Sequence, residues 1–255
     1  MDSNQILLQG DCLEVLDSLP TNKINLVILD LPYGCTDNEW DNKINLTELW
    51  SKLKRVCTNK CAYIFFTTTR FGYDLIASNP KWFRYDLVWN KIRSSAGFLN
   101  AKRQPMRGHE MIYVFYDKLP CYNIDANHTK TVITNLGNPL NGNCYSNPKL
   151  VGMRNVYEPR LPQSILDFSC INNGKKRHHP TEKPIELLEW LIKYYSNEGD
   201  TILDPTCGAG GTLLACKNLN RNAYGIEMNE VFYNTAKNRL DTFSKFKELI
   251  GETIP

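Results

Sequence analysis

Short apolar runs alternate with segments of helical period along most of this chain, and that order constrains it to an α/β fold on a mainly parallel sheet. The runs Ile6 to Leu8, Leu26 to Leu29, Ala62 to Phe66, Tyr85 to Trp89, Met111 to Tyr116, Thr201 to Leu203 and Ala223 to Ile226 read as strands. Cys12 to Leu19, Leu46 to Val56, Tyr73 to Ala77, Pro184 to Tyr195, Thr212 to Asn218 and Glu230 to Leu240 read as helices. Pro184 suits a first-turn position, where a missing N–H costs nothing. No convincing helix separates the runs at 85–89 and 111–116, so these two are expected to pair antiparallel. From Asp117 to about Arg177 the period dissolves into Asn, Gly, Pro and aromatic residues, which predicts an insert of loops and short strands.

A chain of 255 residues, 42% hydrophobic, buries a full core in one large domain. No apolar run approaches the roughly 18 residues of a membrane span, and the start lacks the basic-then-apolar order of a signal peptide. A cytoplasmic protein with no membrane partner is the expectation. The nine cysteines are scattered and odd in number, which argues for reduced thiols. Cys57 and Cys61 stand too far apart for the usual zinc pair and no second pair follows, so no metal site is expected. The formal net charge of +3 decides nothing about partners, but its distribution is uneven. Lys91, Arg93, Lys102, Arg103 and Arg107 follow one another with no acidic residue until Glu110, and residues 117–177 add eight basic against four acidic groups. The middle of the chain is its basic part.

Thr201-Ile-Leu-Asp-Pro-Thr-Cys-Gly-Ala-Gly-Gly-Thr212 places Gly208, Gly210 and Gly211 between a strand and a helix. Glycine there permits a tight turn and close approach of a ligand to the backbone, and the helix start offers unpaired N–H groups. After the next strand stands Glu227, roughly twenty residues on, the spacing at which an acid accepts hydrogen bonds from ribose hydroxyls. No Gly-Lys-Ser/Thr follows the glycines, and Asp204 would repel a phosphate. A nucleoside with a cationic sulfonium and an amino acid tail, S-adenosylmethionine, matches this combination better than NAD does.

The strand at 26–29 runs directly into Asp30-Leu31-Pro32-Tyr33. A carboxylate and an aromatic ring at the carboxyl end of a parallel strand stand where α/β sheets bind ligands. Leu31 precedes a proline and is biased to an extended backbone, which turns its carbonyl outward. Asp30 and the Leu31 carbonyl offer two acceptors for an exocyclic amino group while Tyr33 stacks on the base. Acceptors that favour a tetrahedral nitrogen and stabilise its growing positive charge lower the barrier to methyl transfer. An amine inside duplex DNA is reached only when its base is flipped out.

Together these motifs resemble the beta-class DNA amino-methyltransferases, in which a D-P-P-Y tetrapeptide precedes a variable target-recognition region and a late D-P-F-x-G-S-G-type loop. His179-Pro-Thr-Glu-Lys-Pro184 is similar to the family's H-P-T-x-K-P segment, and Gln9-Gly-Asp11 to its adenine-contacting acidic motif. Trp89-Asn-Lys91 and His109 to Phe115 look like its later strands. The resemblance implies a Rossmann-like methyltransferase fold: a circularly permuted, mixed seven-stranded sheet with helices on both faces. Residues 1–116 would be the catalytic half, 117–177 the target-recognition insert and 178–255 the cofactor half. It implies catalytic roles for Asp30, Leu31, Pro32 and Tyr33. Cofactor contacts are expected from Asp11, Cys12, Asp30, His179, Thr181, Lys183, Asp204, Thr206, Cys207, Gly208, Ala209, Gly210, Gly211, Thr212, Glu227 and Met228. Lys91, Arg93, Arg103, Arg107, Arg154, Arg160, Lys175, Lys176 and Arg177 are the candidates for DNA contacts.

Asp at position 30 leans the resemblance toward adenine N6, with cytosine N4, RNA or protein glutamine as alternative acceptors and a non-catalytic DNA-binding homologue as the alternative from another class. DNA is the implied partner, and a homodimer and a cognate restriction nuclease are further partners that the family makes available. Two departures stand out: Leu31 replaces the first proline of the tetrapeptide, and Thr206 replaces a phenylalanine expected against the cofactor. His109-Glu110 is no metalloprotease motif, because position 113 is Tyr113.

Overall fold

A computed structural model describes residues 3–32, 44–92, 94–134, 153–170, 178 and 181–249, with the side chains at 134, 153–154 and 243–249 left out. In chain order the elements are β1 (Gln5–Gln9), α1 (Cys12–Leu16), β2 (Ile24–Leu29), α2 (Leu46–Val56), β3 (Cys57–Thr67), α3 (Thr69–Ser78), β4 (Phe83–Asn90), β5 (His109–Phe115) and α4 (Ile124–Asn127). They continue with β6 (Thr129–Thr134), β7 (Met153–Glu158), β8 (Ile165–Asp167), α5 (Ile185–Tyr195), β9 (Thr201–Asp204), α6 (Gly211–Asn218), β10 (Asn222–Glu227) and α7 (Glu230–Leu249). Local chemistry sets several of these starts. Asp11 caps α1 by accepting from the Leu13 N–H at 2.7 Å, and Asn45 caps α2 by accepting from Thr47 and Glu48.

Eight strands form the main sheet in the order β1-β10-β9-β2-β3-β5-β4-β8, parallel except where β5 runs antiparallel to β3 and β4. All seven expected strands form, and the pairing of 85–89 with 111–116 is antiparallel as expected. The eighth strand, β8, lies inside the stretch read as the insert. Three residues are too few for a period to show, yet they pair with Val88 to Asn90 and bury Leu166. Helix α5 begins one residue later than expected. Pro184 is its N-cap in an extended conformation, not a first-turn residue, and its carbonyl accepts from the Leu188 N–H.

Period-two alternation sorts the inner strands between two cores. Leu26 and Ile28 of β2, with Ile64 and Phe66 of β3, pack toward Leu188 and Leu191 of α5 and Leu213 of α6. Val27, Leu29, Tyr63 and Phe65 face Leu16 of α1, Leu49 and Trp50 of α2 and Phe71 of α3. Helices therefore cover both faces. From β9 the chain proceeds through β10 toward β1 on one side, and from β2 to β3 on the other, so the strand order reverses between β9 and β2. A crevice opens at such a switch point outside the carboxyl ends of the strands. Strand β4 runs parallel to β3, so the β4–β5 connection leaves the sheet at this same edge.

Residues Asn123–Gln163 separate as a second compact unit from the rest of the chain. It is built on the β6–β7 hairpin, paired from Thr129 opposite Glu158 to Thr134 opposite Met153, and the His128 Nδ1 atom lies 2.7 Å from the Pro159 carbonyl. Among the described residues no helix is long and apolar enough to cross a membrane.

Candidate active site

At the switch point lies a cavity of about 480 Å³. Its walls are Gly10 to Leu13 after β1, Asp30 to Pro32 after β2, Thr181 to Lys183 before α5, the loop after β9, and Glu227 to Asn229 after β10. The glycine loop is fixed from beneath. Asp204, 6% exposed, accepts from the Thr212 hydroxyl at 2.5 Å and from the Thr206 N–H at 3.1 Å. Gly208 and Gly210 adopt φ of 53° and 78°, the left-handed region that favours glycine. A Cβ on Gly210 would also stand 3.0 Å from that of Ala236, so α7 packs where only glycine fits.

Glu227 closes the loop from the neighbouring strand: its two carboxylate oxygens accept from the N–H groups of Gly208 at 2.8 Å and Asn229 at 2.7 Å. Burial raises its pKa against those hydrogen bonds. Burial likewise pushes the Asp204 carboxyl up to about 7, with Asp30 and Glu227 adding to the effect. Two carboxylates made costly to ionise suit a ligand bearing hydroxyls and a positive charge. Burial also pushes the Cys12 thiol up to about 12, which keeps it neutral and unreactive.

The other wall carries a chain of alternating charges. The Lys183 ammonium lies 2.6 Å from Asp30 and 3.3 Å from Glu110, and Glu110 in turn pairs with Lys91. Burial works against the Lys183 charge, but Asp30 and Glu110 outweigh it and hold its pKa above the ordinary value. Burial pushes Glu110 upward, yet Lys183 and Lys91 together bring it below the usual carboxylate range. The Phe66 ring, 5.0 Å from the ammonium, adds a cation–π contact. The two walls touch: the Thr206 hydroxyl donates to the Asp30 backbone carbonyl at 3.2 Å.

Of the expected site residues, Asp11, Cys12, Asp30, Leu31, Pro32, Thr181, Lys183, Asp204, Thr206, Cys207, Gly208, Ala209, Gly211, Thr212, Glu227 and Met228 line this one cavity, and Gly210 shapes the loop. The Lys91 side chain is 13% exposed, paired with Glu110 and set over the Trp89 ring. Arg103, Arg107 and Arg160 are exposed. Tyr33, Arg93, Lys175, Lys176, Arg177 and His179 lie outside the described residues, as does the side chain of Arg154.

Sequence reasoning missed Glu110, Glu182 and Arg239. Glu110 was legible in principle, because antiparallel pairing of β4 with β5 sets it opposite Trp89, next to Lys91. Arg239 bonds both Glu182 at 2.8 Å and the Ala209 carbonyl at 2.6 Å, stapling the segment before α5 to the glycine loop. Its distance along the chain hid it.

A doubly wound sheet with this loop, acid and switch-point carboxylate has the fold of the Rossmann-like methyltransferases. Among solved structures it is similar to the M1.HpyAVI–SAM complex, 23% identical with a TM-score of 0.59, covering 92% of this chain and 99% of that one. It is also similar to the cytosine-N4-specific PvuII DNA methyltransferase, 15% identical with a TM-score of 0.66, covering 99% and 95%. The DNA methylase family of N6-adenine and N4-cytosine amino-methyltransferases matches residues 24–238, and the chain belongs to it. A curated relative, the Type II methyltransferase M.HpaI of Haemophilus parainfluenzae, is 28% identical over 253 residues, 94% of this chain and 75% of the relative. DNA methyltransferase activity follows at the level of the family, which is S-adenosylmethionine-dependent.

Proposed function

We propose that this protein transfers a methyl group from S-adenosylmethionine to N6 of an adenine flipped out of DNA at a specific sequence. The observation that carries the reading is Asp30: it stands at the switch point, beside the glycine loop and joined to it through Thr206. The residues present fit the cofactor. Glu227 suits ribose hydroxyls, Asp204 a positive charge nearby, and Gly208 leaves room for a ligand against the backbone. S-adenosylmethionine supplies an electrophilic methyl group on a cationic sulfur.

The protein's part is binding and orientation. Asp30 and the Leu31 carbonyl accept the two amino N–H bonds, draw the nitrogen lone pair out of the ring and stabilise the charge that grows there. Lys183 donates to Asp30 Oδ2 at 2.6 Å and so holds the carboxylate in place beside the loop. Adenine is preferred over cytosine because an aspartate, not a serine, opens the tetrapeptide. Residues 117–177 are assigned to sequence recognition, Arg160 and Arg154 among them, and protection of a site against a cognate nuclease is the role consistent with Type II relatives.

The test is transfer of labelled methyl to unmethylated DNA and, in parallel, to RNA, followed by nucleoside analysis. N6-methyladenine in DNA is expected, and Asp30→Ala is expected to lower turnover by about 100-fold or more while cofactor binding persists. N4-methylcytosine would correct the base, label only in RNA the substrate, and unchanged turnover in the variant would remove Asp30 from the mechanism.

A further inference from the structure

The β4–β5 connection is built like a finger. A bridge between Ala96 and Arg107 closes its base, each N–H donating to the other's carbonyl at 2.9 Å. A 3₁₀ turn over Phe98–Asn100 follows directly, entered through Gly97 at φ 90° and held by bonds from Asn100 to Gly97, Ala101 to Phe98 and Arg103 to Asn100. Residues 95–107 are all exposed. Phe98 is 81% exposed and Leu99 96%. Single exposed apolar residues are ordinary, but these two are adjacent, large and held in one hydrogen-bonded turn. They are followed by Lys102, Arg103 and Arg107, all exposed, and no acidic residue lies between Lys91 and His109.

Position gives the finger its meaning. It leaves the sheet at the edge that carries Asp30 and Asp204, and its root is tied to Asp30 through Lys91, Glu110 and Lys183. A base drawn to Asp30 leaves a gap in the duplex, and apolar side chains inserted at base steps fill such gaps while cations nearby hold the phosphates. We propose that residues 96–107 enter duplex DNA beside the target base, with Phe98 and Leu99 as the wedge and Lys102, Arg103 and Arg107 on the backbone. This rests on the reading of Asp30 as the site that receives the flipped base. The finger then supplies the opening of the duplex, and Asp30 the chemistry.

The experiment uses the full chain, plasmid DNA in duplex form and the same plasmid heat-denatured, with labelled methyl transfer as readout. Single strands have no stack to open, so the double variant Phe98→Ala, Leu99→Ala is expected to lose about tenfold or more on duplex and less than about twofold on denatured DNA. Arg103→Ala, a phosphate contact, is expected to weaken binding to both DNAs and reduce its salt dependence. Equal loss on both DNAs in the wedge variant, or none on duplex, would overturn the proposal. Loss of the Asp30 reading shows differently: turnover in Asp30→Ala stays unchanged while the duplex-to-denatured ratio of the wedge variant still falls. If the wild type transfers nothing to any DNA, the methyl-transfer reading fails, and the wedge is judged by affinity for duplex plasmid, where equal binding by the double variant overturns it.

Discussion

A buried carboxylate keeps its proton longer than one in water, and Asp204 is such a group even though the Thr212 hydroxyl and the Thr206 N–H donate to it and pull the other way. Burial, then Asp30 and Glu227, lift its pKa from 3.8 to about 7. The folded state therefore holds a proton that the unfolded chain releases, and this group's contribution to stability falls as pH rises from about 4 to 7. A ligand carrying an ammonium prefers the ionised form, so its affinity moves the other way. Calorimetric titration with S-adenosylmethionine is expected to give about fivefold tighter binding at pH 7 than at pH 6, with proton release, and Asp204→Asn to flatten that dependence. A wild type with no pH dependence would separate Asp204 from the ligand's charge. At this scale the motif residues were legible because their types carry their chemistry. Arg239 was not, since a charged side chain so far along the chain acquires its role only from partners that folding brings to it.

Helix α2 shows what an element adds to its residues. Its apolar positions Leu49, Trp50, Leu53 and Val56 recur at helical spacing and are buried. Trp50 sits at the centre of an aromatic cluster, with ring centroids 5.4 Å from Tyr63, Phe65 and Phe115 and 5.9 Å from Trp82, and its indole N–H donates to Ser78. Trp50→Ala leaves a large void and removes one of the two hydrogen bonds of the Ser78 hydroxyl, which still donates to the Leu75 carbonyl, at an expected cost of about 3–5 kcal/mol in urea unfolding. A loss below about 1 kcal/mol would mean that the cluster collapses to fill the space. Long elements such as α2 and β3 were readable because many residues repeat one pattern. The three-residue β8 was not, because its pairing partner at Val88 to Asn90 specifies it rather than its own composition.

Across the whole molecule, the order of motifs fixed the circular arrangement of the sheet, since β9 and β10 come last in the chain yet lie between β1 and β2. The boundary of the insert was harder to read. Within the expected 117–177, Asn123–Gln163 forms a compact unit and β8 pairs with the main sheet, a division that a uniformly polar loop composition does not announce. Thr206, read from the sequence as a cofactor contact standing where an aromatic ring was expected, has a use that spans the molecule. Its hydroxyl joins the loop after β9 to the backbone of Asp30 after β2. Whatever settles one loop is then felt by the other, and such coupling is reciprocal. DNA affinity is expected to rise when a cofactor analogue is bound, and Thr206→Val to shrink that rise; typical couplings of about 1–3 kcal/mol are measurable by titration in both orders. A molecule coupled in this way would be a coincidence detector, opening a base in earnest only when a methyl group is already at hand.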